Sequence, residues 1–527
     1  MNKVERIKQE KNGLDVWDDI QRYAEAGFAA IPEDDFTRLR WWGIYQQRPN
    51  DGHFMVRVKI PGGRLTADQA DAIASVAEDF GRGLMDITTR QDIQYHWLTI
   101  ENMPEALRRL NAAGLTTQEA CGDVPRNVTG CPLHGVSADE IVDGAPLVDR
   151  INRRLLDDRG FSDLPRKFKV CVSGCGAHCA RPEINDVAFV AVRDPETGET
   201  GYNVLIGGGL STQPHFAQSI NAWVSEDEAV DVAAAVTEIF RDDGYRVSRH
   251  RARLKYLMED WGPETFRERV QARLSFPLRT AAPFEYVDLY EDHLGVRPQK
   301  QAGLYSLGVA VLVGRLNVGQ MRAAAEVART YGEGRLSLTL TQNLIVLDVA
   351  GEDVARASQA LDAAGLPVGA SDVRRAAITC TGIEFCNLAV AETKNRMVDV
   401  VNHLEARGIA PGAFRMHMNG CPNSCGQHHI ADIGFMGGRV KLNGETRECF
   451  DISVGGGVGE GRAFVHNVRR KVLAEDVPAV VANLLDAYAE HRGRGENLRT
   501  FLRRHSDEEI NGFLGSLEVP ADAVPVE

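Results

Sequence analysis

The sequence contains no run of about 20 consecutive apolar residues, the length that a helix needs to cross a bilayer. Its first 20 residues are mostly polar or charged and hold no apolar core of signal-peptide length. Positive charge is also in deficit, because the formal net charge is −14 over 527 residues. We therefore expect a cytoplasmic protein with no membrane contact and no nucleic-acid partner.

The sequence also lacks the common nucleotide-binding motifs. The glycine triplets Gly207–Gly209 and Gly455–Gly457 match neither the G-x-G-x-x-G pattern nor the P-loop pattern. Because no flavin or nicotinamide fingerprint is present, any redox chemistry needs electrons from a separate protein. We interpret the triplets as places where the backbone approaches a neighbour closely, since glycine has no side chain to prevent it.

Cysteine, in contrast, is abundant, and four of the ten residues lie in two short segments. Cys380 and Cys386 form a C-x5-C pair, and Cys421 and Cys425 lie in the stretch N-G-C-P-N-S-C. The first gap is longer than the C-x2–4-C spacing usual for structural zinc. Four thiolates suit a [4Fe–4S] cluster, which tolerates wider spacing. Disulfides are disfavoured because we expect no export of the chain.

The chain nearly repeats itself at a spacing of about 250 residues. Four pairs of segments recur in the same order: Gly63–Thr66 with Gly314–Asn317, Thr88–Ile93 with Thr339–Leu344, Ser173–Cys179 with Asn419–Cys425, and Gly207–Gly209 with Gly455–Gly457. Such an ordered set indicates a duplication.

Each half begins with an alternating, strand-like pattern followed by a helical period. The expected strands are Phe54–Ile60 and Tyr305–Val313, and the expected helices are Ala67–Phe80, Met103–Ala113, Val318–Tyr331 and Val354–Ala364. This order favours a ferredoxin-like unit in each half. Apolar strands such as Val187–Val192 and Ile452–Val454 follow, mixed with helices, as in an α+β domain. The charged stretch Arg492–Arg503 has a helical period, and we expect it to form a solvated helix face.

The two cysteine segments resemble the sirohaem-containing nitrite and sulfite reductases, whose mark is C-x5-C followed far downstream by N-G-C-x-N-x-C. The resemblance covers nearly the whole chain from about Leu39. It implies that Cys380, Cys386, Cys421 and Cys425 hold a [4Fe–4S] cluster and that Cys425 also bridges to the sirohaem iron.

The same resemblance implies an α+β, pseudo-twofold duplicated fold, with two ferredoxin-like half-domains and two larger lobes that clasp the sirohaem and the cluster. The expected segments are an N-terminal extension (1–50), a first half-domain (51–116), a first lobe for sirohaem and substrate (117–285), a second half-domain (286–370) and a second lobe for cluster and sirohaem (371–527).

Basic residues of the first half match family positions that converge above the sirohaem iron. They are Arg57, which lies before P-G-G, Arg126 in an R-N segment, and Lys167 and Lys169 in P-R-K-F-K. Reduction of an oxyanion needs charge neutralisation and a proton for each departing oxygen, which arginine and lysine supply. Taken singly, each of these residues is more often a solvent-facing charge.

The Lys-x-Lys pattern favours sulfite over nitrite, because plant-type nitrite enzymes carry Asn at the second position and a second ammonium suits a dianion. The implied activity is the six-electron reduction of sulfite to sulfide with electrons from ferredoxin. Ferredoxin-dependent reduction of nitrite to ammonia is the alternative. A precorrin-modifying oxygenase on the same scaffold and a non-enzymatic iron–sulfur sensor are lesser alternatives, although the oxygenase would be expected to lack part of the basic set.

Other family positions are matched as well. Arg90 and Gln91 lie in the segment that grips sirohaem, a macrocycle with eight carboxylates, and Lys255 is a weaker candidate for the same part. Tyr45 and Cys121 match positions that some ferredoxin-linked sulfite reductases join by a thioether; a packed tyrosine and an inert thiol are the alternative.

The duplication places cysteines of the first half opposite three of the four predicted cluster ligands. They are Cys131, Cys175 and Cys179, whereas the position opposite Cys386 falls near Ser137. A second cluster would need Cys171 as a substitute ligand, and buried cysteine is commonly just a small apolar residue.

Overall fold

The computed structural model describes residues 2–156, 158–195, 197–284, 292–516 and 524–525. These residues form two compact units. The first consists of Met1–Gly209, His215–Val309 and Arg315–Val368, and the second of Leu210–Pro214, Ala310–Gly314 and Gly369–Glu527. Within the described ranges, no helix combines the length and the apolar character that crossing a bilayer requires.

The first unit opens with three helices and a ferredoxin-like sheet. The elements are α1 (Lys3–Glu10), α2 (Trp17–Ala26), α3 (Asp35–Arg38), β1 (Ile44–Gln46), β2 (His53–Val58), β3 (Arg64–Thr66), α4 (Ala67–Phe80), β4 (Leu84–Ile87), β5 (Ile93–Thr99) and α5 (Met103–Ala112). A capping box begins α4, in which Thr66 and Gln69 satisfy each other's backbone N–H groups. Strand β1 lies before residue 51 and pairs with β2 in this sheet; its three residues are too few to show a period in the sequence.

The first lobe follows within the same unit. Its elements are β6 (Thr129–Gly130), α6 (Ala145–Leu155), β7 (Val170–Ser173), β8 (Val187–Arg193), β9 (Thr200–Ile206), β10 (Gln218–Val224), α7 (Glu226–Asp243) and α8 (Leu254–Gln271). The sheet order is β10-β9-β8-β7-β6, with β6, β7 and β8 parallel and the rest antiparallel. Its apolar core includes side chains from all three helices.

The second ferredoxin-like half completes the first unit. Its elements are β11 (Gly295–Pro298), β12 (Leu304–Val309), β13 (Arg315–Asn317), α9 (Val318–Tyr331), β14 (Arg335–Leu338), β15 (Leu344–Ala350) and α10 (Val354–Ala363). The helices expected at Ala67–Phe80 and Val318–Tyr331 are confirmed at those bounds.

The two ferredoxin-like halves exchange a strand. Strand β13 pairs with β4 in the sheet β1-β2-β5-β4-β13, and β3 pairs with β14 in the sheet β11-β12-β15-β14-β3. An ion pair at 3.0 Å between Arg315 and Asp86, which are register partners, joins the first of these strand pairs. Each half therefore completes the sheet of the other.

The second unit repeats the plan of the first lobe. Its elements are α11 (Asp372–Ala376), β16 (Ala377–Thr379), α12 (Lys394–Ala406), β17 (Met416–Asn419), β18 (Ile433–Leu442), β19 (Glu445–Val454), β20 (His466–Leu473), α13 (Val477–His491), α14 (Leu498–Arg504), α15 (Asp507–Phe513) and β21 (Val524–Pro525). The sheet order β16-β17-β18-β19-β20 has the same parallel and antiparallel pairings as the first lobe. The α+β, duplicated fold is confirmed.

The glycine triplets lie in equivalent loops of the two units, close to backbone as expected. A Cβ on Gly208 would lie 2.4 Å from the Glu183 carbonyl oxygen, and one on Gly456 would lie 2.6 Å from that of Ala431. Such distances exclude any side chain, so each loop packs against its own unit.

The expectation for Arg492–Arg503 is wrong in part. Helix α13 ends at His491, and α14 begins at Leu498. Arg503 donates from Nε to the Gly455 carbonyl at 2.8 Å, so this charge holds a glycine loop instead of facing only solvent.

Candidate anion pocket and cluster site

Two predicted basic residues meet at one loop of the first unit. Arg57, on β2, donates to Cys121 Sγ at 3.2 Å and to Gln94 Oε1 at 3.1 Å. Arg126 is buried and donates from Nη2 to the Gly122 carbonyl at 2.7 Å. Both guanidinium groups also reach the carbonyl of Ala120, at 3.5 Å and 3.3 Å. The loop therefore fixes the direction of two planar, permanently charged groups.

Lys169 lies at the start of β7, where Asp186 holds its backbone. The Lys169 N–H donates to Asp186 Oδ2 at 2.9 Å, and Arg253 donates to the same carboxylate at 2.8 Å. Burial, followed by repulsion from Arg90, Lys167 and Arg253, holds the pKa of Lys169 well below its ordinary value. Lys169 is thus a poorly solvated ammonium that gives up a proton easily.

Lys59 was missed by the sequence analysis. It is 2% exposed, and burial lowers its pKa while nearby Glu119 and Asp92 raise it. The expected strand Phe54–Ile60 already contained Lys59, and its alternation puts positions 57 and 59 on the same face, so the pattern itself could have found this residue.

Asp92 is a buried carboxylic acid that lies near the cationic side chains of Arg57, Arg90 and Lys59. Burial raises its pKa to about 6, against the opposing influence of Arg57 and Arg90. A carboxyl group with this pKa titrates near neutral pH, which makes it a candidate for proton transfer.

Arg90 bridges several segments of the pocket. It donates to Asn185 Oδ1 at 2.9 Å and to the carbonyls of Asn127 and Val170. Burial lowers its pKa to about 10. The arginine is therefore held by neutral acceptors, which leaves its positive charge to act on an anion.

Gln91, predicted to help bind the cofactor, makes its hydrogen bonds inside the protein, and its contact with the cofactor stays a prediction. Its side chain is fully buried, and Nε2 donates to the carbonyls of Gly62 at 3.0 Å and Leu338 at 2.9 Å. Its Oε1 accepts from the Gly130 N–H at 3.0 Å. Because both amide hydrogens are used inside the protein, we assign Gln91 to positioning the loop that carries Arg90.

Lys255, in the first turn of α8, is 2% exposed, and its Nζ lies 5.1 Å from the centre of the Tyr256 ring. Burial, then repulsion from Arg253, lowers its pKa to about 8. Its aliphatic stem lies near Gly209, where a Cβ would be 3.6 Å from Lys255 Cδ. The charge therefore costs folding free energy unless an anion binds beside it.

Replacing Lys255 by methionine should stabilise the sirohaem-free protein in a pH-dependent way. Between pH about 8 and 10.5 the unfolded chain binds a proton that the folded chain lacks, so wild-type stability rises with pH in this window. Below pH about 8 Lys255 is charged in both states, so the folded protein bears the full cost of burying its ammonium. Lys255→Met should then raise the unfolding free energy by about 3 kcal/mol. The gain should vanish towards pH 10.5, as measured by urea unfolding. Lys255→Arg, which keeps the charge, is the control; an equal gain at both ends of the window would contradict charge relief.

Together these groups form an excess of buried and half-buried cations in the first unit. Six of these cationic residues were predicted from the sequence: Arg57, Arg90, Arg126, Lys167, Lys169 and Lys255. The structure adds Lys59, Arg166 and Arg253. Burial holds the pKa of Arg166 at about 10, with repulsion from Arg249 next in size. A ligand with several carboxylates, or a small oxyanion, would relieve this repulsion. The residues therefore fit both sirohaem and an anionic substrate.

The predicted cluster cysteines lie in two loops of the second unit. Cys380 follows β16, and the Gly420 N–H donates to its sulfur at 3.2 Å. Asn423 donates from Nδ2 to Cys421 Sγ at 3.6 Å. Close packing keeps the loops together, since a Cβ on Gly426 would lie 2.9 Å from the Cys380 nitrogen. N–H groups aimed at sulfur are typical of metal-bound thiolates.

The four thiols influence one another. Burial, with a contribution from the neighbouring sulfurs of Cys425 and Cys421, raises the pKa of Cys380 to about 12. Burial also raises the pKa of Cys386, with the same two sulfurs contributing. Such a group becomes fully deprotonated only beside cationic metal, so the donor set fits a [4Fe–4S] cluster. Among the ten cysteines, all within the described ranges, Cys425 is the exposed one.

Tyr45 and Cys121, the two residues of the predicted thioether, each contact a different arginine. Tyr45, on β1, lies under the Arg40 guanidinium at 5.2 Å, and Cys121 is a fully buried free thiol that accepts from Arg57. The thioether stays a prediction.

Cys171 does not complete a second cluster. Its thiol donates to the Ala180 carbonyl at 3.2 Å and packs with Ala180 and Ala188. Because Cys171 lies on β7, between β6 and β8 in the sheet, its side chain belongs to the apolar packing of the sheet.

The fold and these two sites define an iron–sulfur redox enzyme with a pocket for anions. A family model described as the nitrite and sulphite reductase 4Fe-4S domain matches residues 121–278 and 370–510. A second, the nitrite/sulfite reductase ferredoxin-like half domain, matches residues 45–113 and 297–364. The chain belongs to the nitrite and sulfite reductase family. The [4Fe–4S] cluster and sirohaem expected from the sequence are the cofactors of this family, and the enzymatic role is confirmed.

Named relatives cover almost the full chain. The assimilatory ferredoxin-dependent nitrite reductase of Haloferax mediterranei is 37% identical over 99% of this chain and 95% of its own. The ferredoxin sulfite reductase of Mycobacterium tuberculosis is 39% identical over 97% and 96%. The solved structure of the Mycobacterium tuberculosis NirA protein superposes with a TM-score of 0.92 at 38% identity, covering 97% of both chains.

Proposed function

We propose that this enzyme reduces sulfite to sulfide with six electrons from reduced ferredoxin, at a sirohaem coupled to the [4Fe–4S] cluster. Relatives named for nitrite and for sulfite match at 37% and 39% identity, so overall similarity does not choose the substrate. The observation that carries the proposal is the pair Lys167 and Lys169, which stand two residues apart just before β7, and the charge of Lys167 contributes to the lowered pKa of Lys169. Two neighbouring ammonium groups suit a dianion better than a monoanion.

The proposed cofactor contacts follow from the two sites. Arg90 and Lys255 would hold sirohaem carboxylates, Cys425 would serve both the cluster and the sirohaem iron, and Cys380, Cys386 and Cys421 would complete the cluster. When bound, the two cofactors supply an iron that takes the substrate and a route for single electrons.

The proposed catalytic residues bind the anion and deliver protons. Arg57 and Arg126 neutralise and orient the substrate oxygens, because the loop around Ala120 fixes both guanidinium groups. Each departing oxygen leaves as water and requires protons. Lys169 donates one more readily than an ordinary lysine because its pKa is lowered, and Lys167 provides a second ammonium.

Lys169→Asn tests the choice of substrate. We expect unchanged cofactor content and a kcat/KM for sulfite that falls by roughly ten- to a hundredfold, since a charge-assisted bond in a closed site is worth about 1.5–3 kcal/mol. The loss for nitrite should be smaller because the lost charge matters less to a monoanion. The measurement is steady-state turnover of each substrate with reduced ferredoxin or methyl viologen.

Lys169→Arg, which retains a charge with a higher pKa, separates charge from proton delivery in the same assay. Equal losses for both substrates in Lys169→Asn would mean that Lys169 does not select between them. A wild-type enzyme that turns over nitrite far better than sulfite would favour the nitrite reductase alternative, which the Haloferax mediterranei relative supports.

Ferredoxin is the proposed electron donor because it appears in the names of both the nitrite reductase and the sulfite reductase relatives. The net charge of −14 means that an acidic donor must dock on a local basic patch. A cytoplasmic location stays a prediction.

A further inference from the structure

Two cysteines and one histidine converge in the first unit, and a third cysteine lies in the same loop as one of them. Cys131 follows β6, Cys175 and Cys179 lie in the loop after β7, and His293 precedes β11. The ligand atoms of Cys131, Cys179 and His293 all lie within 4.8 Å of one another, and Cys131 Sγ is 3.8 Å from His293 Nε2. Cys175 stands four residues before Cys179, a C-x3-C spacing that is usual for structural zinc. Two sulfurs and one ring nitrogen therefore converge, and Cys175, in the same loop as Cys179, offers a fourth soft donor.

The spacing of these atoms suits a single metal ion. Around tetrahedral zinc, with Zn–S near 2.3 Å and Zn–N near 2.0–2.1 Å, neighbouring ligand atoms are about 3.5–3.8 Å apart. A cubane binds each thiolate to a different iron, which keeps its sulfurs farther apart. Among the described residues, this is the one group of three His, Cys, Asp or Glu ligand atoms within 4.8 Å of one another. The four cysteines predicted for the [4Fe–4S] cluster are therefore more widely spaced than this group.

The surroundings of the group are apolar. Cys131, Cys175 and His293 are 3%, 7% and 6% exposed. Leu133, Val136, Ile345 and Leu347 pack against Cys131, with Cys179 at the edge of the same cluster. An apolar shell excludes water and competing ligands from a metal site. All three cysteines are free thiols and not disulfides.

The duplication explains why the fourth ligand was not foreseen. Cys131, Cys175 and Cys179 correspond to Cys380, Cys421 and Cys425, but no cysteine stands in the first copy at the position of Cys386. His293 comes from the segment before the second ferredoxin-like half, so sequence spacing gives no hint of its approach. Its left-handed backbone, with φ of 62°, is uncommon for a residue with a side chain and is held by its tertiary surroundings.

We propose that Cys131, Cys175, Cys179 and His293 Nε2 bind one structural Zn²⁺ ion. Three thiolates and an imidazole form a closed tetrahedral set with no open position, which is the pattern of structural and not catalytic zinc. Binding replaces the three S–H protons with metal–sulfur bonds, and no electrons are exchanged. The ion would tie the loops after β6 and β7 to the segment that leads into β11. This proposal does not depend on the choice between sulfite and nitrite.

Element analysis and zinc-edge X-ray absorption of the purified holoenzyme test the site directly. We expect about one zinc per chain beside about five irons, with three sulfurs near 2.3 Å and one nitrogen near 2.0–2.1 Å. The zinc edge is separate from that of iron, so the cofactors do not obscure the result. Absence of zinc, a shell of oxygen and nitrogen only, a sixth iron in place of zinc, or about nine irons would each overturn the proposal.

Variants locate the ion. Cys179→Ser combined with His293→Ala should lower zinc per chain at least about tenfold, with iron content and the sirohaem spectrum retained. Cys171→Ala, which removes a thiol of the same lobe outside the group, should keep the zinc. Zinc retained in the double variant would overturn the assignment. If that variant does not fold, the sulfur and nitrogen count around zinc in the wild type decides the proposal.

Discussion

Replacing Cys425 by serine should abolish turnover and alter the cluster and sirohaem spectra together. The proposed bridge makes one sulfur a ligand of both cofactors, and serine is a poor substitute for thiolate at iron. The exposed position of Cys425 fits a ligand directed out of the cluster loops. Iron should fall from about five per chain. Optical and paramagnetic resonance spectra, with iron and sulfide analysis, measure the outcome.

Cys449→Ser is the matched control for this change. Cys449 is a buried free thiol on β19 of the same unit, outside the two cluster loops. We expect both spectra and the iron content to survive in this variant. Loss of one cofactor signal alone in Cys425→Ser, with the other unchanged, would exclude the bridging role.

Asp186→Asn should destabilise the first unit by about 3–5 kcal/mol. The Asp186 carboxylate is fully buried and holds Arg253, at 2.8 Å and 3.3 Å, together with the Lys169 N–H. It also raises the pKa values of Lys169, Lys255 and Arg90, so it offsets much of the local repulsion. An amide leaves the Arg253 guanidinium buried without a counter-charge.

The same variant should lose less stability when sirohaem is bound, because the cofactor carboxylates supply part of the missing negative charge. Urea unfolding of loaded and sirohaem-free protein measures the difference. An equal loss in both forms would contradict an anionic ligand in this pocket.

Asp432→Asn is the internal control that the duplication provides. Asp432 accepts from Arg499 Nε at 3.0 Å and from the Arg415 N–H at 2.6 Å, as Asp186 does in the first copy. We expect a comparable loss of stability in the second unit. The loss should not depend on sirohaem carboxylates to the same degree, because the lysines predicted to meet the anion lie in the first unit.

The sequence predicted those parts of the site whose residues lie close together in the chain. The C-x5-C pair and the N-G-C-x-N-x-C stretch bring ligands together within two loops, and the P-R-K-F-K segment places two lysines on one side of an extended chain. The helices at Ala67–Phe80 and Val318–Tyr331 followed from periodicity because their packing faces repeat every turn.

The cluster motif, the helical periods and the basic candidates could each be recognised in a short stretch of sequence, and the duplication in the recurrence of such stretches. Three features came from the structure and not from the sequence: β3 and β13 are exchanged, the Gln91 amide is hydrogen-bonded to backbone groups, and His293 lies beside Cys131 and Cys179, which are far from it in the chain. Sequence patterns and tertiary contacts act over different distances along the chain. Patterns in sequence report contacts within a turn or strand, whereas pairing between distant segments depends on how the whole core packs.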